Sequence, residues 1–218
     1  MSETDSFIDE VAEEVRRDRL FAVLRRYGWI GILAVLLIVG GAAWNEWQKA
    51  QAKAEAEAFG DAILAALAAD DPAARTEALS TVPTAQPGQA ALLSFLAADE
   101  ALKQGNAGAA ETALERVASD AGAPESYRQL AELKYLILKG PALNAQEREE
   151  RLAALSVPGA PYRPLALEQQ GLSLIASGKT EEALALYQQL VQEAGVTAGL
   201  KQRALQMIVV LGGEPAQQ

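Results

Sequence analysis

Two pairs of adjacent carboxylates are the residues of this sequence best suited to chemistry. Glu149 and Glu150 form one pair, and Glu181 and Glu182 form the other. Two carboxylates can act as general acid and general base when their surroundings separate their pKa values. Both pairs fall on the surface or in the first turn of predicted helices, where acidic side chains are solvated or stabilise the helix start. We therefore predict a structural role for them.

Other groups that carry catalysis are missing from the sequence. It contains no histidine and no cysteine, so it lacks the usual side chain for proton transfer and transition-metal binding, and it has no thiol. The segment Gly105–Gly108 carries no Lys-Ser/Thr and follows no strand, which makes it a turn between helices and not a phosphate loop. The sequence predicts a protein that is not an enzyme and needs no cofactor or metal.

An uncharged run of 18 residues, Tyr27–Trp44, stands near the start of the chain. A bilayer core of about 30 Å needs about 20 apolar residues. Trp29, Trp44 and Trp47 mark the ends of the run, where aromatic rings favour the headgroup level. We predict a transmembrane helix over residues 27–47; the alternative is a buried core helix.

Basic residues near the run predict its orientation. Five arginines precede it, and only Lys49 and Lys53 follow within the next fifteen residues. Because Lys and Arg stay cytoplasmic, residues 1–26 should lie inside and residues 48–218 outside, in the periplasm of a Gram-negative bacterium. A cleaved signal peptide is the alternative, since Gly40–Ala43 are small, but the preceding segment is long and carries seven acids, unlike a short basic n-region.

The segment before the run has its own apolar periodicity. Phe7, Ile8, Val11 and Val15 recur at helical spacing, with Asp5 or Ser6 as a cap. This pattern predicts a cytoplasmic amphipathic helix that lies on membrane lipid or docks on a partner. A loosely ordered topology signal explains it equally well.

Composition points to an all-α protein that does not bind nucleic acid. Alanine and leucine dominate and β-branched residues are scarce outside the run, which favours helix. The formal net charge is −10, and no basic stripe interleaved with aromatics is present. An acidic outer domain is also repelled by anionic headgroups, so it should not lie flat on the membrane.

Helix start and stop signals divide the rest of the chain. The apolar helix should run on, or restart at once, through about residue 69, and Asp70-Asp71-Pro72 should start a short helix to Leu79. Ser80–Gly88 is a predicted loop. Further helices are predicted over Ala90–Gln104, Gly108–Ser119, Pro124–Lys139, Ala145–Leu155, Tyr162–Ser177, Thr180–Ala194 and Ala198–Leu211.

Internal similarity groups these helices into pairs. When Gly171 is placed at position 8 of a 34-residue unit, Gly178, Ala183, Tyr187 and Leu190 fall at positions 15, 20, 24 and 27. The tetratricopeptide repeat places small, small, aromatic and apolar residues there, so that paired helices cross closely. An earlier unit fits with Ala98, Ala101, Gly105, Ala110, Leu114 and Val117, and a middle unit fits loosely with Leu133, Gly140, Ala145 and Leu152. An ordinary helical bundle is the alternative.

The order of segments resembles the ancillary SecYEG translocon subunit family of bacterial membrane-anchored tetratricopeptide-like proteins. The likeness rests on RRYGW at Arg25–Trp29, the single span, WNEWQ at Trp44–Gln48, the alanine-rich linker and the closing Gly171–Leu190. It implies an inner-membrane protein that associates with the SecYEG channel and with a membrane-anchored periplasmic chaperone, without enzymatic activity. The loose middle unit departs from a regular array.

The same resemblance assigns protein-binding positions to the first helix of each pair. Positions 2, 5, 9 and 12 line the groove of tetratricopeptide domains; here they are Leu92, Phe95, Asp99 and Leu102 in the first unit and Leu165, Glu168, Leu172 and Ile175 in the third. Most are apolar. They form either a groove for an apolar segment of a partner or a core under neighbouring helices.

Two functional hypotheses follow. In the first, residues 1–26 are a cytoplasmic segment, 27–47 the transmembrane helix, 48–88 periplasmic linker helices and 89–218 a tetratricopeptide-like domain that acts as a protein-interaction scaffold at the translocon, assisting secreted or membrane protein biogenesis. In the second, the cytoplasmic helix binds a signalling protein and the outer domain senses envelope stress.

Overall fold

The computed structural model describes the backbone of residues 3–214 and the side chains of residues 25–214 except that of Pro141. These residues contain helices and no strand, which confirms the prediction of an all-α protein. The α-helices are α1 (Glu3–Leu67), α2 (Pro72–Thr81), α3 (Pro87–Lys103), α4 (Ala107–Ser119), α5 (Glu125–Lys139), α6 (Ala145–Leu155), α7 (Arg163–Ala176), α8 (Thr180–Gln192) and α9 (Ala198–Val210). A 3-10 turn, Gly140–Ala142, follows α5.

The long helix α1 contains three segments that the sequence had suggested separately. It continues without a break through the predicted amphipathic segment, the apolar run and the linker. Asp5 and Ser6 therefore lie inside the helix and do not cap it, which corrects that expectation. The predicted apolar face of residues 5–26 lies outside the described side chains. Farther along, Lys53 and Glu57 pair at 3.6 Å, as their spacing predicts.

The apolar run of α1 is not covered by protein. Every residue in the range 29–58 is exposed, and no part of the most hydropathic window of this helix is buried. A core helix would be covered, so the buried-core alternative does not hold for the described chain. The helix contains one segment long and apolar enough to span a membrane.

The chain divides into two compact units, one ending at Gly60 and the other beginning at Asp61. The last turns of α1 and the helix α2 therefore belong to the same unit as the predicted repeats. Within it, Asp71 caps α2 as predicted: its carboxylate accepts a hydrogen bond from the Ala74 N–H at 2.8 Å, with Pro72 in the first turn.

Helix α3 begins earlier than the predicted start at Ala90. The side-chain oxygen of Gln89 accepts hydrogen bonds from the backbone N–H groups of Ala85 and Gln86, at 2.7 and 3.2 Å. These bonds satisfy donors that a helix start leaves unpaired, so Pro87 becomes the first helical residue. The predicted loop Ser80–Gly88 is accordingly shorter.

From α2 onward each helix packs on the next helix of the chain, as expected for a stack of repeats. The junction between α5 and α6 is the weakest of these, and α6 packs more extensively on α7 than on α5. Ala145, the predicted small crossing residue of the middle unit, is exposed. The middle unit therefore departs from a regular helix pair.

The second compact unit instead contains two equivalent four-helix halves, α2–α5 and α6–α9. Their core positions are related by a constant spacing of 73 residues (Leu79 to Leu152), and each member of the equivalent pairs is at most 5% exposed. The pairs are Leu79 and Leu152, Ala110 and Ala183, Leu114 and Tyr187, Val117 and Leu190, Ala131 and Ala204, and Tyr135 and Ile208. The predicted first and third units are thus matching parts of the two halves.

One close helix crossing differs between the halves in a compensating way. A Cβ atom added at Gly171 would lie 2.7 Å from Cζ of the buried Tyr187 ring, so only glycine fits opposite this tyrosine. The equivalent residues of the first half, Ala98 and Leu114, share one core cluster. The second half combines the smaller Gly171 with the larger Tyr187, and the first half combines the larger Ala98 with the smaller Leu114. The two sizes compensate because side chains in a close-packed interior share a fixed volume.

This crossing makes a test of the fold. Gly171→Ala should destabilise the protein by about 1–3 kcal/mol through overpacking against Tyr187. The double variant Gly171→Ala/Tyr187→Leu, which copies the pair Ala98 and Leu114, should recover most of that loss. Denaturant unfolding of the purified chain in detergent measures both.

Gly199→Ala is the matched control. No atom lies within 4 Å of a Cβ added there, so alanine should be neutral or stabilise α9 by up to about 1 kcal/mol. Equal losses at positions 171 and 199, or no recovery in the double variant, would contradict the packing argument.

Candidate functional site

Three of the six apolar residues among the eight predicted binding residues face solvent. Leu92, Leu102 and Leu172 are 38%, 45% and 40% exposed. The first two lie on α3 and the third on α7, and their side chains are available to a partner. Because they are apolar and uncovered, they are the part of the predicted set that fits a binding surface.

Three others pack against the cores. Phe95 contacts two core clusters and meets Tyr127 edge-on, with ring centroids 6.1 Å apart. Leu165 packs against the clusters on either side of it, and Ile175 against the last one. The apolar members of the predicted set are therefore divided between solvent-exposed and core-packed positions on the same two helices, α3 and α7.

The two acidic members of the set form ion pairs within the chain. Asp99 pairs with Lys103 at 2.8 Å and stays largely exposed. The carboxylate of Glu168 on α7 accepts two hydrogen bonds from Arg203 on α9, at 2.7 and 3.0 Å. Glu168 therefore links two helices in the structure.

Two grooves lie on other faces of the same helices. The α2–α4 groove, of about 580 Å³, crosses α3 between α2 and α4, and the α6–α8 groove, of about 460 Å³, crosses α7 between α6 and α8. None of the eight predicted residues lines either groove. Sequence positions assigned from the repeat pattern thus missed both concave surfaces.

The grooves occupy matching places in the two halves. Six of their lining positions are related by the same 73-residue spacing (Leu79 to Leu152). The pairs are Thr76 and Glu149, Leu79 and Leu152, Ala97 and Gln170, Ala101 and Leu174, Ala109 and Glu182, and Ala113 and Leu186. The first groove is lined by small residues, whereas the second carries larger and more polar ones.

The first half contains a buried carboxylate. Glu100 on α3 is 2% exposed; it pairs with Arg75 on α2 and with Lys103, both at 2.7 Å. Arg75 also donates to the carbonyl oxygen of Ala69, at 3.1 Å, just beyond the end of α1. Hydrogen bonds from Lys103 and Arg75 hold the pKa of the Glu100 carboxyl below its ordinary value of 4.5.

Comparison with known families gives a match over most of the chain. A family model described as a tetratricopeptide repeat-like domain matches residues 25–209. The chain belongs to this family. The match begins before the apolar run, so it covers the exposed part of α1 as well as the helices α2–α9. Comparisons with curated proteins and with solved structures found no match.

Charged pairs between helices recur throughout the tetratricopeptide repeat-like domain. Five of them connect residues distant in sequence, with side chains that are at least partly covered. The pairs are Arg75–Glu100, Glu111–Lys139, Glu132–Arg151, Arg163–Glu193 and Glu168–Arg203. Each pair links two parts of the helical stack, and such pairs are often close to neutral in their net contribution to stability.

The equivalent of Arg75 in the second half is Arg148, and the equivalent of Glu100 is Ser173. Arg148 therefore lacks the acid that Arg75 contacts. Its Nη2 donates one long hydrogen bond, of 3.4 Å, to Gln169, and its buried Nε has no partner among the described residues. Both Arg148 and Ser173 line the α6–α8 groove. Applying the 73-residue offset between Ala98 and Gly171 to the neighbouring positions would have revealed both equivalences.

The carboxylate pairs considered at the outset lie where the sequence predicted. Glu149 and Glu150 are exposed on α6, and Glu181 and Glu182 are exposed in the first turn of α8. The described part of the chain holds no cluster of potential metal ligands. Domains of this kind typically act as non-catalytic scaffolds, and no group in the described residues points to a reaction.

Glu100 provides a test of how the first half is held together. Glu100→Gln should destabilise the protein by about 3 kcal/mol at neutral pH, because a partly buried Arg75 loses its counter-ion. Since the pKa of Glu100 is lowered on folding, the stabilisation is complete above its unfolded pKa and is lost as pH falls through the folded value. The difference between wild type and variant should therefore shrink below about pH 4.5.

Guanidinium unfolding of the full chain in detergent, repeated across this pH range, measures the effect. Glu182→Gln is the control, because its pair with Lys179 is exposed and worth less than about 1 kcal/mol. If the difference in free energy of unfolding between wild type and Glu100→Gln does not change with pH, the charge of Glu100 is not the source of the destabilisation.

Proposed function

We propose that this protein is a membrane-anchored scaffold that presents a tetratricopeptide repeat-like domain to other proteins. The observation that carries the proposal is the uncovered apolar run of α1, which lies within the family match and precedes the compact helices of the repeat domain. Contiguous apolar surface of this size is not left in water by a soluble protein, and its length matches a bilayer core. Lipid is the cover that the run requires.

The compartment follows from charge. The arginines that precede the run and the scarcity of basic residues just after it favour a cytoplasmic N-terminus, so the repeat domain lies in the periplasm. Residues 1–26 then face the cytoplasm, 27–47 span the inner membrane, and the compact unit that begins at Asp61 is the interaction domain.

The proposed partners are the SecYEG translocon and a membrane-anchored periplasmic chaperone. Support comes from the resemblance of the segment order to the ancillary SecYEG translocon subunit family, and from the exposed leucines and grooves of the repeat domain. In this role the protein assists proteins that emerge from the channel, by binding and without catalysing a reaction.

Reporter fusions test the topology. A periplasm-active reporter fused after Gln218 should be active, and the same reporter fused before Ser2 inactive, because the arginines hold the N-terminus inside. Mass measurement of the mature chain from membranes should find residues before Gly40 still present. Reversed reporter activity would refute the orientation, and a soluble chain starting near Ala43 would refute the anchor.

Cross-linking in intact membranes tests the partners. A photoreactive residue at Leu172 or Leu102 should cross-link to a translocon or chaperone subunit, because these side chains are exposed on α7 and α3. The control position is Val210, which is 75% exposed at the end of α9. Equal cross-linking from all three positions would mean that contact is not directed.

Deletion of residues 1–19 separates the scaffold from a stress regulator. Co-purification with SecYEG should survive the deletion, since the span and the periplasmic domain remain. If the variant loses a stress-signalling response but still co-purifies with SecYEG, the stress-regulator hypothesis is supported. If the variant no longer co-purifies with SecYEG, the proposed scaffold is contradicted.

A further inference from the structure

The two halves of the repeat domain treat one arginine position differently. In the first half, Nε of Arg75 donates to the carboxylate of Glu100 at 2.7 Å, and neither residue lines the neighbouring groove. In the second half, Ser173 replaces the acid and both Arg148 and Ser173 line the α6–α8 groove. The hydroxyl of Ser173 donates to the backbone carbonyl of Gln169 at 3.0 Å and offers Arg148 nothing.

An arginine that lines a groove and has no acidic partner in its own chain can bind a carboxylate from another molecule. A guanidinium presents five donors that match a carboxylate in a two-point geometry. Arg148 uses one of them in a long bond to Gln169, and its Nε is buried without a partner. Arg128 also has an unpartnered buried Nε, but it lines neither groove and so offers no space for a ligand.

Three other charged residues line the α6–α8 groove beside Arg148. Lys179 and Glu182 line it and pair with each other at 3.6 Å, so they largely cancel. Glu149 lines the groove and is exposed; it opposes an incoming anion. Arg148 is therefore the attractive charge, and Glu149 the one that limits affinity.

The walls of the groove show that a bare anion is too small an occupant. Leu143, Leu152, Leu174 and Leu186 line it beside the polar residues, and its volume of about 460 Å³ lies in the range of sites that hold several side-chain-sized groups. Leucine walls next to a single arginine suit a peptide segment with an aspartate or glutamate beside apolar residues.

We propose that the α6–α8 groove binds a protein segment in which an acidic side chain, flanked by apolar ones, takes the place at Arg148 that Glu100 takes at Arg75. This inference rests on the proposed scaffold function and names the chemistry of the bound segment. In the first half the equivalent place is already filled from within, because Glu100 pairs with Arg75 outside the α2–α4 groove.

Selection from a displayed library of random peptides tests the proposal. The full-length protein in lipid nanodiscs should enrich peptides that carry Asp or Glu next to Leu or similar residues. A synthetic copy of an enriched peptide then gives a Kd by fluorescence anisotropy. Replacing its acid by the matching amide should weaken binding by about tenfold or more, as for a hydrogen bond to a charged group.

The chain offers matched variants for the same measurement. Ser173→Glu supplies an internal carboxylate, as in the first half, and should weaken binding about tenfold or more, whereas Ser173→Gln, of the same length without charge, should weaken it far less. Arg148→Gln should abolish the peptide's preference for acid over amide. Glu149→Gln should tighten binding.

Thermal unfolding of each variant separates a lost site from a lost fold. Ser173→Glu should unfold no earlier than Ser173→Gln, because the introduced carboxylate pairs with Arg148. If Arg148→Gln does not fold, the two variants at position 173 still decide the question.

Several results would overturn the proposal. One is a selection that does not enrich acidic peptides, and another is an equal Kd for Ser173→Glu and Ser173→Gln. A third is competition by sodium glutarate at the same concentration as the peptide, which would indicate an anion site only. Failure of SecYEG to co-purify would refute the proposed function instead, and it leaves these measurements on purified protein unaffected.

Discussion

Close approach of neighbouring helices is the constraint on which the repeat domain depends. Each helix from α2 onward is short and buries its apolar face mainly against its neighbours in the chain, and α3 also contacts α5. Such burial requires a small residue where two helices cross, and at Gly171 the Tyr187 ring leaves no room even for a methyl group. The first half reaches the same closeness with Ala98 and Leu114, which shows that the summed volume of the pair is what the fold retains.

Ion pairs between helices constrain the relative orientation of those helices, which apolar packing alone does not fix. Apolar contacts are not directional, so helices packed through alanine and leucine could slide or rotate. The cross-helix ion pairs oppose this, and the network of Arg75 and Glu100 also reaches the backbone just beyond α1. The end of the long helix, α2 and α3 are thereby tied together, which lets the repeat domain start at a defined point after the proposed anchor.

The two halves keep one architecture but differ at individual positions outside the shared core. Core positions are retained because a change there leaves a cavity or a clash. At the position shared by Glu100 and Ser173, the acid of the first half is buried and pairs with Arg75, whereas the serine of the second half lines the α6–α8 groove beside Arg148. Arg75 in the first half is thus paired within the chain, whereas Arg148 in the second half has no acidic partner in the part of the chain that the structure describes.

The sequence by itself determined the local features: the apolar run, the helix starts at Asp71-Pro72 and Thr180, and the small crossing residues Gly171 and Ala183, because each depends on residues a few positions apart. Only the tertiary structure decided which faces are covered. It shows α1 as one continuous helix, Leu172 exposed, Ile175 packed against the core, and Arg148 without the acid that Arg75 has. These outcomes depend on neighbours tens of residues away, whose positions are set by the packing of the whole helical stack.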